Sequence, residues 1–273
     1  MIFAGSRGHT GAALLAAHAA CRGGAGLTTL AGPASLNVVF SLGIPEAMTV
    51  AMPDDDGLIR FDAKAVAGAL EGKRAVVAGP GMGTHAAAEY LVKHLLTVDL
   101  PLVVDADGLT CLSRSLDALA EARTTPVLTP HPGEMARLLG ADVRKVQADR
   151  VGVAAAFAKK HRCVVVLKGA RSVVADPDGA VWINPTGNAG MACGGMGDVL
   201  AGLIGALLAQ GLSAADAACL GAYLHGAVAD EVASQQGQLG MRATDVAEGL
   251  PRGFARLTGD VYPPAFALPR RSD

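Results

Sequence analysis

Residues 188–198 read NAGMACGGMGD, and the chain then runs directly into an apolar stretch at residues 199–209. Glycines at the start of a helix let backbone N–H groups approach a ligand without interference from Cβ atoms. The helix dipole adds about half a positive charge at the same end. This stretch therefore predicts an anion-binding site at the start of a buried helix, and we call residues 189–197 the glycine cradle.

The last residue of the stretch, Asp198, needs a separate explanation. A carboxylate beside a phosphate would repel it, so Asp198 is poorly suited to holding the anion itself. Its chemistry fits a general base that takes a proton from a hydroxyl group attacking the phosphate. An Asp at this point is equally consistent with a residue that only caps the N-terminus of the helix.

Composition and charge limit the class of protein. With 273 residues, of which 51% are hydrophobic, the chain fits one large α/β domain or two small ones. The formal net charge is −2 and only 18% of the residues are charged, so the chain has no basic field for nucleic acid or an anionic membrane. The ligand is therefore expected to be a small molecule.

Cysteine spacing and apolar runs bear on the compartment. The five cysteines are scattered and form no CxxC pair, which argues against a zinc site or a disulfide framework and favours a reducing cytoplasm. The longest uninterrupted apolar run, residues 199–209, is shorter than the roughly 20 residues that a membrane-spanning helix needs. We expect this run to form a buried helix.

Short apolar segments alternate with longer Ala-rich segments, which predicts a mostly parallel sheet covered by helices on both faces. The predicted strands are residues 27–31, 48–52, 75–78, 102–105, 127–129 and 164–167, and the predicted helices are residues 11–22, 62–72, 85–96, 145–160, 198–210 and 214–235. One exception precedes the glycine cradle, where residues 172–175 and 180–184 predict a β-hairpin. No linker divides the chain, so residues 1–273 are expected to form one domain with a loose tail after about residue 262.

Five glycine-rich or polar loops lie at the same predicted edge of the sheet, at residues 5–8, 79–83, 105–108, 129–134 and 168–172. Ligands of open α/β sheets bind beyond the carboxyl ends of the strands, so these loops are expected to form one site. The glycines of residues 5–11 are spaced GxxGxxG, which is not the dinucleotide fingerprint, and the chain has no GxxxxGK[ST] phosphate loop. Any phosphate must therefore be held by other means.

Four side chains near these loops are candidates with simpler alternatives. Lys168 would bring positive charge to the edge of the sheet, or it is only solvated there. His131 stands between two prolines that stiffen its backbone, and Glu134 is either a functional group or an ordinary first-turn residue. We expect His225, on the helix after the cradle, to serve in packing.

Taken together, these motifs resemble those of the NAD(P)H-hydrate dehydratase family. The segments that carry the resemblance are GMACGGMGDVL at residues 190–200, TPHPGE at 129–134, KGA at 168–170, GPGMG at 79–83 and DADGL at 105–109. They occur in the family's order, and the resemblance extends from about Gly5 to about Leu250. It implies a ribokinase-like fold, a three-layer α/β/α arrangement with a mostly parallel central sheet.

The resemblance also implies a repair reaction. A nicotinamide cofactor that has taken up water, NADHX or NADPHX, is dehydrated to NADH or NADPH while ADP or ATP is consumed as co-substrate. Hydroxide is a poor leaving group, and phosphorylation of the hydroxyl turns it into a good one that the ring nitrogen helps to expel. In the family Mg²⁺ is expected near the phosphates.

Site residues follow from the same resemblance. Asp198 would take the hydroxyl proton. The nucleotide would contact Lys168, Gly169, Ala170, Arg171, Ser172, Asn188, Ala189, Gly194, Gly195, Met196 and Gly197. The hydrate would contact Ala12, Gly81, Gly83, His131 and Asp198, and Glu134 would hold the metal through water.

The chain departs from the family pattern at its start, where Met1-Ile2-Phe3-Ala4 leave room for only a short first strand. The epimerase domain that is fused to some relatives is absent, so a separate epimerase is expected as functional partner. The Ala-rich helices around residues 12–20 and 214–233 suggest self-association, and the family favours a homotetramer. Neither ADP-versus-ATP nor NADHX-versus-NADPHX preference follows from the sequence.

Two other functions are also compatible with these motifs. A ribokinase-like kinase of a vitamin precursor, such as hydroxyethylthiazole, would use the same aspartate and cradle but release a phosphorylated product. A non-catalytic nucleotide-binding module is the more distant alternative. The HPGE segment at residues 131–134 and the GNAGM segment at residues 187–191 favour the dehydratase.

Overall fold

A nine-stranded sheet forms the centre of the computed structural model, which describes residues 1–259. The predicted loose tail after about residue 262 lies outside the described residues. In chain order, the strands of this sheet and of a small two-stranded one are β1 (Ile2–Phe3), β2 (Thr29–Pro33), β3 (Met48–Met52), β4 (Asp54–Asp55), β5 (Leu58–Ile59), β6 (Val76–Ala78), β7 (Leu102–Val104), β8 (Val127–Leu128), β9 (Val164–Leu167), β10 (Val173–Ala175) and β11 (Val181–Ile183).

The strand order of the large sheet is β11-β10-β9-β8-β7-β6-β1-β2-β3, and β4 pairs with β5. Every neighbouring pair from β9 to β3 is parallel, whereas β10 runs antiparallel to both β9 and β11. The mostly parallel sheet and the hairpin before the glycine cradle are therefore confirmed. The short strand β1 lies between β2 and β6, where Ile2 pairs with Leu30 and Val77.

Helices cover both faces of the sheet, as predicted. They are α1 (Thr10–Arg22), α2 (Asn37–Gly43), α3 (Ala63–Leu70), α4 (Ala86–Leu96), α5 (Asp107–Leu112), α6 (Pro132–Leu139), α7 (Val143–Ala148), α8 (Arg150–His161), α9 (Met196–Ala209), α10 (Ala214–Gln236) and α11 (Ala243–Thr258). Alternate strand residues point to opposite faces, so Val77 joins the core under α1, α9, α10 and α11, while Val76 and Ala78 join the core under α3 to α8.

The structure differs from the predicted elements in several places. The single helix expected at residues 145–160 is two helices, because Asp149 leaves the helical conformation at φ −145° and its side chain accepts a hydrogen bond from the Gly152 N–H. Helix α11 was not predicted, since Gly249 and Pro251 interrupt its pattern. The strand expected at residues 27–31 is shifted to Thr29–Pro33.

The Ala-rich faces of α1 and α10 lie inside the molecule. Ala16 and Ala17 of α1 and Ala218 and Ala229 of α10 are completely buried in the core beneath α9 and α11. These alanines therefore serve the chain's own core, and the expected self-association through the two helices stays a prediction. Among the described residues, no helix combines the length and the apolar character that crossing a bilayer requires.

Candidate active site

The glycine cradle and the loops after β7, β8 and β9 surround a cavity of about 720 Å³ at the carboxyl edge of the sheet. The sequence-predicted residues that line it are Lys168, Gly169, Ala170, Arg171, Ser172, Asn188, Ala189, Gly195, Met196, Gly197, Asp198 and His131. Gly194 is exposed beside Gly195 in the same loop. The structure therefore brings the predicted nucleotide residues together around one space.

The Asn188 side chain makes two hydrogen bonds that shape the glycine cradle. The Asn188 side chain accepts a hydrogen bond from the Gly190 N–H at 3.0 Å and donates one to Asp230 of α10 at 2.9 Å. Gly195, with φ +89°, precedes the first turn of α9 in a conformation that favours glycine. A Cβ atom at Gly197 would lie 3.1 Å from the Lys168 Nζ, so the missing side chain lets the lysine reach the helix N-terminus.

Asp198 is the third residue of α9 and makes no capping hydrogen bond. The interpretation of Asp198 as a mere helix cap is therefore wrong. Its half-buried carboxylate lines the cavity and accepts no hydrogen bond from residues 1–259. Burial, followed by repulsion from the Asp105 carboxylate, raises the pKa of Asp198 to about 7, against which the Lys168 charge acts.

Lys168 is fixed by Asp105, a buried carboxylate to which the sequence motifs assign no role. The Lys168 Nζ donates a hydrogen bond to Asp105 Oδ1 at 2.7 Å and lies 3.7 Å from Glu134 Oε2. Burial by itself lowers the pKa of Lys168. The negative charges of Asp105 and Glu134 have the larger combined effect and raise that pKa above its usual value. Thr129 donates a second hydrogen bond to Asp105 Oδ1 at 2.7 Å, which leaves the buried Oδ2 atom without a partner among the described residues.

One feature of the sequence could have identified Asp105. An ionisable residue directly after a buried apolar strand, here β7, lies at the edge where ligands bind. Asp105 is only 1% exposed, and a buried charge needs a partner. Lys168 is that partner, although it stands 63 residues further along the chain.

His131 and Glu134 hold each other at the start of α6. The His131 Nδ1 accepts hydrogen bonds from the backbone N–H groups of Gly133 and Glu134, and Glu134 Oε2 accepts one from the His131 N–H at 2.8 Å. Because Nδ1 is an acceptor, the proton of the neutral imidazole stands on Nε2, which lies 3.5 Å from Glu134 Oε1. Glu134 is therefore both a capping residue and a neighbour of Lys168.

The remaining predicted hydrate residues lie further along the same edge. A Cβ atom at Gly81 would lie 3.0 Å from the Ala12 Cβ, so these two residues are neighbours. The Gly83 N–H donates to Asp107 Oδ2 at 2.9 Å, and the Asp107 charge contributes to the raised pKa of Asp198. None of these residues lines the 720 Å³ cavity itself.

His225 lies in the wall of the cavity and is almost completely buried. Its Nε2 atom has no hydrogen-bond partner within residues 1–259. Burial, and then the positive charge of Lys168, lower its pKa to about 4, so the imidazole is neutral at neutral pH. The predicted packing role accounts for its burial but not for its position in the cavity wall.

These features define an α/β protein of the ribokinase-like class, with a glycine cradle beside a carboxylate that accepts no hydrogen bond within residues 1–259. A sequence profile of the NAD(P)H-hydrate dehydratase family matches residues 1–252. The chain therefore belongs to that family, and the expected fold is confirmed.

Two relatives illustrate the relationship. The chain is 46% identical over 260 residues to the bifunctional NAD(P)H-hydrate repair enzyme Nnr of Moorella thermoacetica, covering 94% of this chain and 49% of that protein. It thus spans about half the length of that relative. It is 39% identical over 276 residues to the ADP-dependent (S)-NAD(P)H-hydrate dehydratase of Neisseria meningitidis serogroup B, covering 99% of this chain and 84% of the relative.

The fold is also similar to a solved structure, the ADP/ATP-dependent NAD(P)H-hydrate dehydratase of Bacillus subtilis co-crystallised with ATP and Mg²⁺. The TM-score is 0.77 at 33% sequence identity, and the match covers 93% of this chain and 88% of that one.

Proposed function

We propose that this chain dehydrates (6S)-NADHX or (6S)-NADPHX to the intact cofactor, with phosphoryl transfer from ADP or ATP to the hydroxyl of the hydrate. The single observation that carries the proposal is the position of Asp198, which faces the cavity within the first turn of α9 without a hydrogen-bond partner in the described part of the chain. Family membership and the names of the relatives support the choice of substrate.

In the proposed reaction the hydroxyl oxygen of the hydrate attacks the terminal phosphorus of the nucleotide, and Asp198 accepts the proton of that hydroxyl. The bond from that phosphorus to the bridging oxygen breaks, and AMP is the leaving group when ADP is the phosphoryl donor. Phosphate then departs from the hydrate as the electron pair of the ring nitrogen forms the new double bond. Loss of a ring proton completes the elimination and regenerates NADH or NADPH.

The cradle and Lys168 stabilise charge on the transferred group. The first residues of α9 line the cavity. The free backbone N–H groups of a helix N-terminus carry partial positive charges that cost no reorganisation when negative charge develops. Lys168 lines the same cavity and keeps its proton because its ammonium group is paired with the Asp105 carboxylate. Such electrostatic stabilisation is the main contribution that a protein makes to phosphoryl transfer.

Magnesium fits this site as an ion carried by the nucleotide. No three His, Cys, Asp or Glu side chains within residues 1–259 form a metal cage. Mg²⁺ commonly binds one or two carboxylates, several waters and substrate phosphates. Asp105 Oδ2, which has no partner in the described part of the chain, and the nearby Glu134 would supply such oxygens. When bound, the ion would neutralise phosphate charge, and we propose that Glu134 contacts it through water.

The test is incubation of the purified chain with (6S)-NADHX and ADP or ATP, followed by the absorbance of NADH. We expect recovery of that absorbance, and Asp198→Asn should lower kcat by about 100-fold or more while ADP still binds. Asp178→Asn, an exposed aspartate in the hairpin turn, is the matched control and should leave kcat unchanged. Turnover by Asp198→Asn within a few-fold of wild type would refute the base assignment.

The vitamin-kinase alternative is less favoured, because the family profile and the relatives described above name the hydrate dehydratase. A stable phosphorylated product and no NADH would reverse this choice. Nucleotide binding without turnover of either hydrate would instead support the non-catalytic module.

We also propose the cytoplasm as the location, which the five free cysteines support. A separate epimerase would supply the correct hydrate isomer.

We propose that a homotetramer forms through a surface other than the Ala-rich helices first expected. Helix α2 contacts the sheet-edge strand β3, and the two elements expose Val38 (69%), Leu42 (80%) and Met48 (46%). Apolar exposure beside an unpaired strand edge is typical of a subunit contact. Light scattering after size-exclusion chromatography should show an oligomer that Leu42→Glu disrupts, and a monomeric wild type would contradict the proposal.

A further inference from the structure

The loop formed by residues 168–172 has an unusual backbone that something must hold in place. Gly169 has φ +145°, and Arg171 has φ +58°, a left-handed conformation that is uncommon for a residue with a side chain. Conformations of this kind persist only where the surrounding structure fixes them. The Ser172 hydroxyl contributes by donating a hydrogen bond to the Gly169 carbonyl oxygen at 3.1 Å.

Arg150 is the other group that fixes this loop. One guanidinium nitrogen donates to the Ala170 carbonyl oxygen at 2.6 Å, and the other donates to the Leu167 carbonyl oxygen at 2.9 Å. The guanidinium thus joins the end of strand β9 to the middle of the loop. A Cβ atom at Gly169 would lie 2.9 Å from the same guanidinium, so glycine is needed there for Arg150 to come this close.

The break between α7 and α8 places Arg150 where it can make these bonds. Asp149 caps α8 and Arg150 is the first residue of that helix, so its side chain leaves the helix end that faces the loop. Burial lowers the pKa of the Arg150 guanidinium, but an arginine remains charged in proteins. Arg150 does not line the cavity and cannot contact a ligand bound there in this arrangement.

We propose that Arg150 is a positioning residue for the nucleotide. By holding Leu167 and Ala170 it fixes the backbone of residues 168–172, so that this loop meets the phosphates of ADP or ATP in one preformed arrangement. The inference rests on the proposed function for the identity of the ligand. It assigns Arg150 to nucleotide affinity and leaves the proton transfer at Asp198 unaffected.

The experiment measures ADP affinity and steady-state kinetics for Arg150→Met. We expect the ADP Kd and KM to rise about tenfold, the size of effect that losing hydrogen bonds from a charged donor produces, with kcat at saturating ADP within about twofold of wild type. KM for the hydrate should stay unchanged. Arg144→Met is the matched control, because Arg144 lies on the preceding helix with a side chain that is 96% exposed.

Arg150→Lys is the second variant, should the methionine variant fail to fold. Its ammonium group keeps the charge but lacks the planar fork that spans two carbonyl groups, so ADP KM should rise by a smaller factor at constant kcat. An unchanged ADP Kd in a folded Arg150 variant overturns the inference. So does a fall in kcat that is matched by equal rises in the KM values for ADP and for the hydrate. Calorimetric ADP binding needs no hydrate, so the inference can be judged even if the chain does not turn over NADHX.

Discussion

At the scale of single residues, the site depends on how three carboxylates and one lysine share a partly buried space. Asp105 takes Lys168 as its partner, and Glu134 caps a helix beside it, which leaves Asp198 without a compensating hydrogen bond from residues 1–259. Burial, and then the charge of Asp105, raise the pKa of Asp198 to about 7, and a base with a pKa near neutrality is well matched to proton transfer at physiological pH.

The pH dependence of turnover follows from this environment. Asp198 must be ionised to accept a proton, and its pKa is about 7, so kcat/KM should rise with pH through about 7 and level off above it. The measurement is kcat/KM from about pH 5.5 to about pH 9 in buffers of constant ionic strength, a range that brackets the expected ionisation. A rate that is flat across this range would show that Asp198 ionises far below neutrality or is not the base.

The same pKa predicts a gain in stability when the charge is removed. The pKa of Asp198 is near 3.9 in an unfolded chain and about 7 in the folded one, so its favourable contribution is present below about pH 4 and is lost as pH rises through 7. Because the group is partly solvated, we expect Asp198→Asn to raise the free energy of unfolding at pH 8 by only about 1–2 kcal/mol.

Thermal unfolding at pH 8 and at pH 5 tests this prediction. The increase in Tm should be a few degrees at pH 8 and smaller at pH 5, where Asp198 is already protonated in the folded chain. Asp178→Asn is again the control, since its exposed carboxylate should give no pH-dependent difference. A lower Tm for Asp198→Asn than for wild type at pH 8 would contradict an unfavourable charge at this position.

Residue patterns predicted part of this site and missed part of it for a definable reason. The glycine cradle, Lys168 and His131 stand out because local residue types and spacing reveal them. The position of Asp105 after β7 is also readable, but its pairing with Lys168, 63 residues away, is not. Asp230 and Arg150 do not stand out, since their roles depend on partners 42 and 20 residues away. Pairings over such separations are set by the strand order, which no local pattern contains.

At the scale of elements, α9 carries the site and is fixed by its close packing on α1. A Cβ atom at Gly202 would lie 2.1 Å from the Ala16 carbonyl oxygen, so the two helix backbones meet at this glycine. The obstacle is backbone, which cannot rotate away as a side chain would. The position of Asp198 one turn earlier on α9 depends on this contact.

Gly202→Ala should therefore separate the two helices at a large cost. We expect a loss of about 3 kcal/mol or more in the free energy of unfolding, at the upper end of the range for overpacked cores. Denaturant unfolding measures this loss. Gly68→Ala in α3 is the matched control: nothing lies within 4 Å of its added Cβ, so alanine should stabilise by about 0.5–1 kcal/mol. Equal effects of the two substitutions would contradict a backbone contact at Gly202.

Element prediction succeeded where one periodicity dominated. Helices α4 and α10 agree with their predicted spans to within a residue at each end. It failed at Asp149, where a capping side chain ends one helix and begins the next without a glycine or proline to mark the break. It also failed at α11, which keeps a proline inside the helix.

At the scale of the whole molecule, two separate cores are held together by one sheet, and the site lies at the edge of that sheet. The two-sided burial of the strands was readable from their continuous apolar composition, so the fold class was predictable. The position of β1 between β2 and β6 was not, because two residues are too few to show a pattern.

Nucleotide binding should stabilise the whole chain, since the cradle and the 168–172 loop are joined to both cores through the sheet. ADP at about 100 times its Kd should add about 2.7 kcal/mol to the free energy of unfolding. For a chain of this size that corresponds to a rise in Tm of about 5–10 °C. Adenosine, which has no phosphate, should give a much smaller rise at the same concentration. Equal shifts with the two ligands would show that the cradle does not bind phosphate.

The hairpin of β10 and β11 sends the chain away from the ligand edge and brings it back within a few residues. Two ligand-facing segments can therefore follow each other closely in sequence, without an intervening crossover helix. The turn at Asp176 to Gly179 lies at the far edge of the sheet, remote from the cavity. A short peptide tag or a fluorescent reporter inserted at that turn should leave the cavity undisturbed, which makes it the natural attachment point for following this protein in living cells.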